Sequence, residues 1–245
     1  DDVTTPSGAT GAVDQALGWA ISELIASGDL TGKAGEVGVL YPRGAIAATR
    51  VWVGGLGKRD EFNLEGVRQA AANGIRQAHK LKAKNVDTIV HGAGIGGLAV
   101  EAAAQATVEG SLLATYRFAA TKQEPEPPHE IESLTIVEFD GSKLAAIEAG
   151  SAQAQAIAAG VTIARDLVNM PPNVATPTKM ADTAESIANE HNFKITIGDR
   201  AWAAARNMGG FLAVAKGAGE PPKFIVLEHN GDREDLDTIV LVGKG

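Results

Sequence analysis

The sequence contains no cysteine. That excludes disulfides and any thiolate-held metal, and it fits a reducing compartment. No apolar run approaches the roughly 18 residues that a membrane-spanning helix needs. The five histidines, His79, His91, His129, His191 and His229, stand far apart. None pairs at the i,i+4 or H-x-H spacing of a histidine zinc site, so none is expected. Positive charge is also short: 22 Lys and Arg against 30 Asp and Glu give a net charge of −8. Such a balance argues against a broad phosphate-binding surface and against nucleic acid as a partner. The opening Asp1-Asp2-Val3-Thr4 is acidic and polar, unlike a secretory signal. These absences predict a soluble, cytoplasmic protein with no membrane partner.

What is present is ordinary for a globular chain: 245 residues, 44% hydrophobic and 21% charged. That length can bury one large core or two smaller ones. Apolar positions Val13, Leu17, Ala20, Ile21, Leu24 and Ile25 recur near a 3.6 period and predict one amphipathic helix over 12–27, closed by Gly28. Strands are expected over 36–40, 48–53 and 86–90. Asn63 can cap a helix over 64–81, its inner face carrying Val67, Ala70, Ala71, Gly74, Ile75 and Ala78. A third helix is expected over 98–108. This β/α alternation predicts an α/β fold with a mostly parallel sheet.

The proline-rich stretch 121–128 reads as a loop, and 133–139 returns as a strand. An alanine-rich stretch over 142–169 favours helix throughout and is stopped by Pro171-Pro172. A helix of that length after an α/β unit predicts a bridge between two domains. Beyond it, a helix over 178–191 and strands over 193–197, 223–228 and 238–242 begin a second domain. The predicted division is 1–141, a linker helix over 142–170, and 171–245.

Among the motifs, Gly92-x-Gly94-x-x-Gly97 stands between a strand and a helix, the formal setting of a dinucleotide fingerprint. The acidic residue that should follow about 20 residues on is absent, and a tight strand-to-helix turn explains the glycines more simply. Gly54-Gly55-Leu56-Gly57-Lys58 is no phosphate loop, because Trp52 occupies the position of its first glycine and Arg59 that of its Ser/Thr. The acidic run 231–237 lacks the register of a calcium loop. Lys244 lies between Gly243 and Gly245, behind the apolar run Ile239-Val240-Leu241-Val242. A lysine near such a position is ordinarily a surface residue, since burying an ammonium is costly.

Three features occur together: the alanine-rich helix, the Asn169-Met170-Pro171-Pro172-Asn173 turn, and Val242-Gly243-Lys244-Gly245. With Glu109-Gly110-Ser111-Leu112-Leu113-Ala114-Thr115-Tyr116-Arg117-Phe118 and Glu220-Pro221-Pro222-Lys223-Phe224-Ile225-Val226-Leu227, they resemble the leucyl (cytosol) aminopeptidase family, over most of the chain. The resemblance implies a macro-like α/β N-terminal domain with a mixed, mostly parallel sheet, a linker helix, and the start of an α/β peptidase domain. It implies a homohexamer that removes leucine-like N-terminal residues from peptides, using two divalent metal ions, Zn or Mn, to activate water. Lys244 matches the family's lysine metal ligand, and only a neutral amine has a lone pair to give, so a bound metal must displace its proton. The family's remaining ligands follow this motif. The chain is therefore expected to be the N-terminal half of a longer enzyme, inactive by itself or completed by a second chain. The alternative is a non-catalytic macro-like module that binds a nucleotide or ADP-ribose, or serves assembly.

Overall fold

The structure, a computed structural model, describes residues 5–93, 97–118, 130–229, 231 and 235–244. The chain divides into two compact units, Asp1–Ile163 and Ala164–Gly245.

The first unit opens with α1 (Gly8–Ala16) and α2 (Ala20–Ser27), where one helix was expected. The break comes at Gly18 and Trp19, both at positive φ (65° and 69°). Asp14 explains why the chain reverses there. Its carboxylate is fully buried and accepts hydrogen bonds from Ile21 N at 2.8 Å, Ser22 N at 3.2 Å and Ser22 Oγ at 2.5 Å. A side chain of α1 thus satisfies the orphan amides that open α2.

Strands β1 (Val37–Leu40) and β2 (Val51–Gly54) pair antiparallel, with Val37 opposite Gly54. The ten residues between them are too few for a crossover helix. Then α3 (Leu64–Lys80) starts where Asn63 Oδ1 accepts from Glu65 N at 2.9 Å and Gly66 N at 3.1 Å. Val67, Ala71, Ala72, Ile75 and Ala78 form its buried stripe. Strand β3 (Asn85–Thr88) pairs in parallel with β4 (Ser133–Ile136), Asn85 opposite Ser133, and α4 (Val100–Ala114) lies in the connection between them. Gly110 lets α4 approach the Arg68 backbone of α3, and Arg68 Nε meets Glu109 Oε2 at 3.0 Å across the same helices.

Two apolar clusters hold these layers together. One joins Val90, Ala103, Ala104 and Ile147, with Leu98, Val100 and Ile136 against it. The other joins Ile75, Ala78 and Val86, with Trp52, Ala114 and Leu134 packed around them. A short 3-10 turn (Gly141–Lys143), capped by the Asp140 carboxylate, leads into α5 (Leu144–Asn169). The division between units falls within this continuous helix.

In the second unit, α6 (Pro177–His191) starts with Thr176 as N-cap and Pro177 in the first turn, a favourable entry because proline has no amide proton to leave unpaired. Strand β5 (Lys194–Gly198) pairs antiparallel with β6 (Phe224–Glu228), and Lys194 faces Glu228. Between them lie α7 (Arg200–Ala205) and α8 (Gly209–Val214), two six-residue helices that sequence periodicity did not predict. Trp202 stacks on Phe224 with ring centroids 5.4 Å apart, Phe211 meets Phe224 edge-on at 5.7 Å, and the Arg206 guanidinium sits 3.9 Å over Trp202.

The α/β class holds, but its strands are arranged differently from the expected mostly parallel sheet. Among the described residues there are three two-stranded ladders, and only β3–β4 is parallel. The run expected as a buried strand, 238–242, pairs with none of them. Its Ile239, Val240, Leu241 and Val242 side chains are 74–92% exposed. A parallel strand is buried only when neighbours flank it and helices cover both faces, and among the described residues nothing does so here.

Candidate functional site

Lys244 is the residue that the sequence singles out for metal chemistry. It lies in an exposed, irregular segment, immediately after the apolar run 239–242. The second glycine of its motif, Gly245, is outside the described residues. No group of three or more His, Asp or Glu residues lies close enough together to hold a metal ion, among the described residues. A hard divalent cation takes several carboxylate oxygens, so the described residues do not by themselves fit a two-metal centre.

The turn that follows α5 is well defined. Asn169 closes α5, and the Pro171 carbonyl accepts from Val174 N at 2.8 Å and Ala175 N at 2.9 Å before Thr176 caps α6. The paired prolines thus follow the end of one helix, and the Pro171 carbonyl holds the turn that leads to the next.

The two glycine-rich loops serve the protein's own packing. At Gly92 the backbone has φ of +83°, and a Cβ there would fall 2.7 Å from Phe62 Cε1 and 2.8 Å from Leu98 Cδ1. The space over this glycine is filled by those side chains, which disfavours a pyrophosphate at that position. Gly94 and Gly96 lie outside the described residues. His91, next to this turn, is held below the ordinary histidine range because burial penalises its charged form. Its Nε2 is 3.3 Å from Thr88 Oγ1. In the second loop, Gly55 N and Gly57 N donate to the Glu36 and Gly32 carbonyls, both at 2.9 Å. Amides already bonded to the backbone cannot also cradle phosphate.

A cleft that no sequence motif announced lies where α3 and α4 end. It is lined by Ile75, Arg76, His79, Ala114, Thr115 and Arg117 and measures about 260 Å³. Its residues come from the last turns of one helix and the end of the other, 35 or more positions apart in sequence. Only the side-by-side packing of the helices brings them together.

No helix among the described residues is long and apolar enough to cross a membrane. Comparison with known proteins supports the resemblance read from the motifs. Residues 1–125 match the N-terminal domain of the cytosol aminopeptidase family, and residues 162–245 match its catalytic domain. A probable cytosol aminopeptidase of Alkaliphilus oremlandii is 38% identical over 234 residues, covering 95% of this chain and 47% of its own length. The cytosol aminopeptidase of Pseudomonas aeruginosa is 36% identical over 235 residues, 96% of this chain and 47% of that protein. The chain thus spans about half the length of the curated relatives it matches. Among solved structures, a tomato leucine aminopeptidase mutant superposes with a TM-score of 0.75 at 25% identity, covering 92% of this chain and 44% of that one. The bottromycin maturation enzyme BotP in complex with Mn gives a TM-score of 0.71 over 93% of this chain and 44% of its own. At 22% identity it speaks for the fold alone. Two domains of one family, matched in their own order along a single sequence, establish that the chain belongs to the cytosol aminopeptidase family.

Proposed function

We propose that this chain is the N-terminal half of a metal-dependent aminopeptidase that releases N-terminal, leucine-like residues from peptides. The observation that carries the reading is the ordered match of both family domains, 1–125 and 162–245. The names of the relatives, and of the tomato structure, add the reaction class.

Within this reading, the domains divide as a macro-like unit over 1–141, a linker helix over 142–170, and the start of the peptidase domain over 171–245. Lys244 supplies one amine ligand to a pair of divalent ions, Zn or Mn. The carboxylate ligands come from the part of the relatives' length that this chain does not span. A Mn complex of BotP supports a divalent metal in this fold. Two such ions would polarise the scissile carbonyl and furnish an activated water. The enzyme acts in the cytoplasm as a homohexamer.

Expressed at the full length of its relatives, the protein should hydrolyse leucinamide with Mn²⁺ or Zn²⁺ and stop when a chelator is added. Failure on every aminoacyl amide, with both metals loaded, would sink the reading.

A further inference from the structure

We draw no further inference here: the strongest candidate, the exposed apolar surface patch of Ile239, Val240, Leu241 and Val242 that follows β6, pairs with no strand among the described residues, and nothing in the structure shows what covers it.

Discussion

Gly150 of α5 faces the Glu101 carbonyl of α4 so closely that any side chain would overlap that oxygen. Backbone cannot give way as the end of a flexible side chain can. Gly150→Ala should therefore cost about 1–3 kcal/mol, the usual penalty of overpacking. Gly160 lies in the same helix with nothing within 4 Å of its missing Cβ. Gly160→Ala should be stabilising by about 0.5–1 kcal/mol, because alanine loses less backbone freedom on entering a helix. Urea denaturation of the pair checks this, and a Gly150→Ala protein as stable as Gly160→Ala would refute the packing argument.

Asp14 should make the first unit acid-sensitive. Burial by itself raises its carboxyl, but the hydrogen bonds from Ser22 Oγ, Ser22 N and Ile21 N outweigh it and leave the group below its ordinary value of 3.8. A carboxyl lowered in the folded state contributes stability that is fully present above its unfolded value and disappears as pH falls through the folded one. Asp14→Asn should lower the melting temperature at neutral pH. The gap from the wild type should then close below pH 3.8. A gap that is constant across the acid range would show that the charge is not what holds α2.

The second unit rests on its aromatic stack. Trp202→Ala removes the ring against Phe224, a half-buried contact whose loss should cost about 2–3 kcal/mol, somewhat less than for a fully buried tryptophan. Arg206→Ala leaves the stack and removes an exposed cation over the ring, worth about 0.5–1 kcal/mol, along with its exposed hydrogen bond to the Trp202 carbonyl. Amide exchange resolved by unit is the measurement. Protection should fall in β5 and β6 for Trp202→Ala far more than for Arg206→Ala.

Lys244→Ala, made in the full-length enzyme, should weaken metal binding by roughly a hundredfold or more, since even residues that only support a ligand cost 10–100-fold. Metal content after dialysis separates this from a folding defect. Full occupancy together with full leucinamide hydrolysis would remove Lys244 from the metal site.

The helices were legible in sequence wherever one residue does one local job. Asn63 caps α3, Gly28 closes α2 and Pro171-Pro172 stops α5, and each of these can be read without knowing the fold. Reading failed where the deciding contact is tertiary. The break between α1 and α2 depends on Asp14 reaching seven residues forward to Ile21 N, and a 3.6 period passes over it. Gly18 was the available signal. Periodicity also missed α7 and α8, since six residues barely complete a turn and a half. The run 238–242 has every local mark of a strand, but a strand exists only with a partner, and composition does not name one. The cleft of Arg76, His79 and Arg117 was invisible for the same reason: its members meet only once α3 lies beside α4.

The three tryptophans happen to sit in three separate surroundings. Trp19 is 54% exposed, Trp52 has its indole nitrogen shut away in an apolar cluster, and Trp202 is stacked on Phe224 beneath a guanidinium. The first two belong to one unit and the third to the other. The chain therefore carries its own optical labels. Replacing any two with phenylalanine leaves a single fluorophore whose emission maximum reports on the helix entry, the core or the second unit in isolation.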